Sequence, residues 1–272
     1  MLHETALPDK GLMSGYFYYE IKKVRHMNLI NTEKIHPEVA ARLAPYLEKM
    51  HALHKDDIVS VFLYGSAAGS DYQPKTSDIN SCFVVRQLKF QTLKDSLAIV
   101  NAGIVKKIAA PLFLTKEYMT SSLDVFPVEF LDMKEKHVLV YGEDVLAGLD
   151  IKGEHLRLFC EQQIKGRLIR IRQAYLEVGL KKKGIESLLK ESLRSLIPIF
   201  RNLIRLKGAV PPTSKDDIIR ELCRAFQLDE GVFLPIYKDT VDDEKIAGQD
   251  VACFLEKYLA QLENLSCQVD QL

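Results

Sequence analysis

Ile58-Val59-Ser60-Val61-Phe62-Leu63-Tyr64-Gly65-Ser66, followed after eleven residues by Asp78-Ile79-Asn80-Ser81-Cys82-Phe83-Val84-Val85, is the stretch around which the rest of the chain arranges itself. The first run is β-branched and aromatic and stops abruptly at Gly65. The second, Ile79 to Val85, is introduced by Pro74 and a Ser/Asp cluster. Compact apolar runs bounded by turn residues read as strands, so the pattern predicts two strands flanking a Gly/Ser-rich turn. Upstream, Pro37, Val39, Ala40, Leu43, Tyr46, Leu47 and Met50 have helical spacing, with proline at the entrance where its missing N–H costs nothing. Downstream, Phe90 to Lys107 is again helical through Leu93, Leu97, Val100 and Ile104. Strand-like runs follow at Pro111–Leu114, Phe126–Met133 and His137–Tyr141. Alternating helices and strands over the first 145 or so residues are an α/β signature.

Beyond the linker around Gly142 and Gly148 the periodicity changes. Leu156 to Val178, Ile185 to Leu206, Asp216 to Phe226 and Val251 to Leu265 outline four amphipathic helices, with Gly179, Gly208–Pro212 and Gly231–Gly248 between them. Pro198 inside the second predicts a kink or two shorter helices. The expected organisation is therefore residues 1–26 as an extension without assigned role, an α/β module over 27–150, and an all-helical bundle over 151–272. Neither a repeat nor a low-complexity tract is present.

Lys plus Arg and Asp plus Glu both number 37, so the 272-residue chain is formally neutral, but the charge is segregated. Arg157–Lys207 is net +9 and Gly208–Leu272 is net −7. The basic helices either attract a polyanion or are solvated faces partly neutralised by the acidic tail, and the second is the commoner outcome. The five cysteines are scattered without a C-x-x-C pair, which argues against a disulfide framework and a zinc site. No apolar run approaches the roughly 18 residues of a membrane span, so a cytoplasmic protein without membrane contact is expected. Neither a P-loop nor a G-x-G-x-x-G fingerprint occurs, and no G-x-S-x-G elbow is present. His51 and His54 read as helix-surface residues.

The strand ending in Gly65-Ser66, the eleven-residue gap and Asp78-Ile79-Asn80 resemble the signature of the DNA polymerase beta-like nucleotidyltransferase superfamily, hydrophobic-Gly-[Gly/Ser] then Asp-hydrophobic-[Asp/Glu]. His137 to Asp144 also looks like the ending of small bacterial nucleotidyltransferase domains. The likeness covers about Ile58 to Val145. It implies a mixed α/β (α+β) sheet module and a third carboxylate on a later strand, which Glu129 would match, with Asp124 and Asp132 as poorer candidates by position. A helical bundle after such a module resembles the kanamycin nucleotidyltransferase-like arrangement. There an acidic residue of the helices can serve as base for the acceptor hydroxyl, and Glu161, in the row Arg157, Glu161, Lys165, would be its counterpart here. No histidine follows His155, so the helices are not an RNase toxin of the kind that pairs with minimal nucleotidyltransferases.

The chemistry of each position can be argued separately. Nucleotidyl transfer needs charge neutralised on a phosphoryl group and its attacking and leaving oxygens held in line. Two carboxylates at i and i+2 of a strand share a face and can clamp Mg²⁺ with triphosphate oxygens. Gly65 lets the chain turn close to phosphates, and Ser66 can offer its hydroxyl and N–H. Lys165, like Arg167 and Arg170, is either a triphosphate ligand or a solvated charge. Asn80 departs from the pattern because its oxygen carries no charge, and Ser81 stands where a hydrophobic residue is usual.

The reading that follows is a Mg²⁺-dependent nucleotidyltransferase moving an NMP, AMP first, from a nucleoside triphosphate to a small-molecule or protein hydroxyl. Asp78 and Glu129 would act as ligands and Asn80 as a weak third. The alternative is a catalytically impaired nucleotide-binding or interaction module that keeps the fold. Nucleic acid as partner is not favoured, the acceptor is not specified, and a homodimer is compatible with the sequence.

Overall fold

A computed structural model describes residues 27–69, 72–241 and 250–272. The N-terminal extension 1–26 and part of the 231–248 linker lie outside the described residues. The chain divides into two compact units, one of residues up to Thr120 plus Met133–Leu149, the other of Ser121–Asp132 plus Asp150–Leu272.

In the first unit, helix α1 (Pro37–His54) starts where the His36 ring accepts a hydrogen bond from the Glu38 N–H at 3.2 Å. It buries Val39, Leu43, Tyr46, Leu47 and Met50, the stripe its periodicity predicts. Strands β1 (Ile58–Tyr64), β2 (Asn80–Val85), β3 (Leu112–Leu114) and β4 (His137–Gly142) form one sheet in the order β3-β2-β1-β4. β1 is antiparallel to both neighbours, whereas β2 and β3 are parallel and joined through helix α2 (Phe90–Ile104). A parallel pair needs such a crossover. Val61 and Leu63 of β1, with Ile79 and Phe83, Val138 and Val140, pack into one core with the buried face of α1. Helix α3 (Lys116–Ser121) follows β3.

The second unit is helical: α5 (Gly153–Val178), α6 (Lys182–Leu206), α7 (Lys215–Phe226), α8 (Glu230–Val241) and α9 (Val251–Asp270). α6 is its spine and packs against the other four. Phe233 stands edge-on to both Phe200 and Tyr258, at centroid distances of 6.0 and 5.6 Å, and the fully buried Tyr258 hydroxyl meets Ser192 Oγ at 2.9 Å. That bond answers the need of a phenol taken out of water.

Two local expectations fail for identifiable reasons, and of the two outcomes expected at Pro198 the structure excludes two shorter helices. Phe126–Met133 is not a strand: Pro127 opens helix α4 (Pro127–Glu135), and Val128 and Leu131, three apart, pack on the helical core. Its apolar residues fit both a period of two and a helical period, so sequence alone cannot choose. Most of the supposed linker from Gly231 is α8, started by Asp229, whose carboxylate accepts from the Gly231 N–H at 2.8 Å; its glycine and Pro235 hide the pattern. α6 runs as one helix through Pro198, and the buried Asn202 donates its Nδ2 to the Pro198 carbonyl at 3.0 Å.

Gly142 closes β4 at φ 78°, and a Cβ there would run into the Val59 carbonyl and lie 3.1 Å from Ser60 Cα. Gly142→Ala is expected to lower the free energy of unfolding by about 2 kcal/mol or more, read from urea denaturation.

Candidate functional site

The ends of three strands meet at the turn after β1. Tyr64 lies opposite Asn80 on one side and His137 on the other, so the turn Gly65–Ala68 is flanked by the beginnings of both β2 and β4. Gly65 adopts φ 69°, which only glycine enters freely, and the chain then winds into a short 3-10 turn closed by Gly69 N–H donating to the Ser66 carbonyl at 3.1 Å. No side chain caps the start of this turn.

Asp78 is brought here by backbone pinning. The Ile79 N–H donates to the Lys107 carbonyl at 2.8 Å, and the Ala109 N–H donates to the Ile79 carbonyl at 3.0 Å. The loop before it is tied by Gln73 N–H to Ser77 Oγ at 3.0 Å. Ile79 and Phe83 point into the core with α1. Strand alternation therefore sends Asp78 and Asn80 to the opposite face, which Tyr64 shares as Asn80's partner. Asp78 is exposed and Asn80 half-buried. Asn80 presents its Nδ2 to the turn, 3.3 Å from where a Cβ on Gly65 would lie. Cys82, next on the same face, is buried, and burial pushes its thiol up to about 12, so it stays protonated.

Lys136, just before β4, adds a cation that sequence reasoning missed: its Nζ lies 2.8 Å from where a Cβ on Gly69 would be. Its place depends on the β1–β4 pairing, far apart in sequence, and no local pattern announces it. The Asn80 amide and the Lys136 ammonium therefore both border the turn.

The remaining predicted residues are elsewhere. None of the four strands contains Asp or Glu. Glu129 is exposed in the first turn of α4, within the segment that belongs to the second unit, and not on a strand. Asp124 is exposed, and Asp132 pairs with Arg205 at 3.0 Å. Glu161 is buried on α5 between Arg157, at 2.7 Å, and Lys165, which also lies 3.7 Å from Asp270. The Lys165 hydrogen bond first, then that of Arg157, holds the Glu161 carboxyl below its ordinary range, which weakens it as a base. Lys165 is raised by the same contact and is engaged. His54 is not a surface histidine: its Nε2 meets Ser96 Oγ of α2 at 2.8 Å, and burial lowers its pKa.

Among the described residues no three His, Cys, Asp or Glu side chains gather to hold a metal. Asp78 and Asn80 supply one carboxylate and one carboxamide on a common face. That donor set does not make a dedicated cage, but it fits a Mg²⁺ that arrives on a polyphosphate, since this ion is commonly held by one or two carboxylates plus substrate oxygens.

No protein-family model matches the chain, and no curated protein matches it. Among solved structures the chain is similar to spectinomycin adenyltransferase AAD(9) from Enterococcus faecialis, solved with ATP and spectinomycin. The TM-score is 0.46 and the identity 13%, over 82% of this chain and 98% of that one.

The Glu161 cluster carries a pH signature. A folded pKa below the unfolded one means stability that is complete above the unfolded value of about 4.3 and lost as pH falls through the lower folded value. The gap in urea midpoint between the protein and Glu161→Gln is therefore expected to narrow as pH drops from about 6 to 3.

Proposed function

We propose that the protein is a nucleotidyltransferase that takes a nucleoside triphosphate, ATP first, on the Gly65–Ala68 turn and passes its NMP to a hydroxyl of a small molecule or protein. The observation that carries this reading is the pairing of Tyr64 with Asn80, which sets Asp78 and Asn80 on one face beside a glycine-opened turn. In this reading Gly65 lets the backbone approach the phosphates, and Ser66 donates its N–H and hydroxyl to them. Lys136 and the Asn80 amide neutralise and orient the phosphate chain, and Asp78 holds the accompanying cation. A bound Mg²⁺ supplies charge neutralisation at the α-phosphoryl group and the departing pyrophosphate. Glu161 keeps α5 in order instead of activating the acceptor. The nucleotide is assigned to the module 27–150 and the acceptor to 151–272. A supply of triphosphates makes the cytoplasm the setting for such an enzyme.

A second reading, nucleotide binding without transfer, is favoured by the neutral Asn80 together with strands that carry no acidic residue. Fewer anionic ligands hold the cation less firmly at the α-phosphate, where transfer needs it.

Calorimetric titration with ATP, GTP, CTP and UTP, with and without Mg²⁺, tests both. Metal-dependent binding that weakens about tenfold or more in Asp78→Ala and in Lys136→Ala supports the nucleotide site. Pyrophosphate release from ATP that rises about tenfold or more in Asn80→Asp supports transfer as the ancestral chemistry of the site. Binding without metal dependence or pyrophosphate release selects the second reading, and binding of none of the four nucleotides overturns both.

A further inference from the structure

Helices α1 and α2 pack against each other, and the polar groups at their contact are treated differently. Ser96 Oγ of α2 bonds His54 Nε2 of α1 at 2.8 Å. Tyr46 of α1 is only 5% exposed, yet its hydroxyl meets no hydrogen-bond partner among the described residues. The ring is held from two sides: a Cβ on Gly103 would lie 2.9 Å from it, and Phe83 stands edge-on at a centroid distance of 6.4 Å. Burial pushes the phenol up to about 12, so the hydroxyl keeps a proton to donate. A buried donor without an acceptor destabilises the fold, and such groups are few enough that each one calls for an explanation.

Tyr46 lines a recess between the two helices, and Arg42, Lys49 and Lys106 line it as well. No acidic residue borders it; the rest of its wall is apolar or glycine. Arg42 shares its guanidinium with Glu38 at 2.8 Å, whereas no ion pair joins Lys49 or Lys106 to an acid among the described residues. The recess offers about 30 Å³, room for roughly one or two waters or one small tetrahedral ion and too little for a sugar or a nucleobase. Water would answer the hydroxyl but not the charge, because cations gathered on one small recess repel one another until an anion sits among them. We infer that this recess binds a phosphate-type oxyanion, with the Tyr46 hydroxyl donating to one oxygen and Arg42, Lys49 and Lys106 to the others.

The donor set selects this class of ligand. Ammonium and guanidinium groups only donate, and the oxygens of a phosphate or phosphoryl dianion chiefly accept, so each N–H and the phenol find a match. The site lies on the α1 side of the sheet, whereas Asp78 and Asn80 face the other side. It shares no residue with the Gly65–Ala68 turn or with Lys136, so it stands or falls independently of the nucleotide assignment. Gly103 is explained by the same arrangement, since any larger residue there would push the Tyr46 ring out of place.

Thermal melts of the full chain in inorganic phosphate up to about 20 mM, with chloride holding the ionic strength constant, decide the matter. A saturable rise of about 3 °C, half complete near about 1 mM phosphate, is expected for the native sequence. Tyr46→Phe is expected to melt at the same or a higher temperature without phosphate, because it removes the unmatched hydroxyl, and to need about tenfold more phosphate for the same rise. Lys49→Ala and Lys106→Ala, made separately, are each expected to raise the phosphate requirement about threefold or more. Lys136→Ala is expected to respond as the native protein does. Glycerol phosphate separates the two sources of the ligand: a response to both compounds assigns the phosphoryl end of a larger molecule, and a response to inorganic phosphate alone assigns the free ion. The absence of a saturable rise overturns the inference and leaves the recess to water. A rise that chloride alone reproduces, one that survives Tyr46→Phe and both lysine substitutions, or one lost in Lys136→Ala, which would put the ion at the Gly65 turn, overturns it as well.

Discussion

The double pairing of β1 is the constraint on which the first unit depends. It is antiparallel to β2 and β4 at once, and Tyr64 is the last residue paired on either side. Gly65 can turn only there, and residues from two distant parts of the chain, Asn80 and Lys136, are forced to flank the turn. A register slip of one residue between β1 and β2 would send Asn80 to the core face and Ile79 to the exposed one, reversing the burial of the whole strand. The core under α1 therefore enforces the geometry of the site: Ile79 and Phe83 must be inside, so Asp78 and Asn80 must be on the other face.

The same constraint explains what the sequence made legible. β1, the turn, Asp78 and β2 form one continuous signal with strong punctuation, and local chemistry suffices to read it. α1, α2 and four of the helices of the second unit are legible because their apolar residues keep a helical period over twelve residues or more. Lys136 was invisible because nothing local distinguishes it from the other lysines; only the pairing of β4 with β1 brings it to Gly69. Glu129 reads as a strand residue because nine residues opening Pro-Val-Glu-Phe-Leu alternate well enough for either structure. Its environment, a helical core supplied by residues far along the chain, settled the choice.

Segregated charge finds its explanation inside the second unit. Arg172 of α5 pairs with Glu263 of α9 at 2.6 Å, Lys165 approaches Asp270, and Lys190 of α6 meets the buried Asp239 of α8 at 3.0 Å. The acidic tail thus lies against the basic helices and neutralises part of them. Exposed pairs among these contribute little each, whereas the Lys190–Asp239 contact covers a carboxylate withdrawn from water, which needs its partner.

Helix α4 begins among residues of the second unit and ends among those of the first. The chain crosses between units before Ser121, after Asp132 and again after Leu149. During synthesis, Val128 and Leu131 leave the ribosome some fifty residues or more before the α6 side chains that complete their core, at a chain growth of about 5 to 20 residues per second. For several seconds the nascent protein holds an apolar segment whose destination does not yet exist. A fragment cut after Leu149 would keep that segment stranded, and one starting at Asp150 would leave Arg205 without Asp132. Evolution could therefore exchange the helical unit for another only by carrying twelve residues of the preceding module along with it.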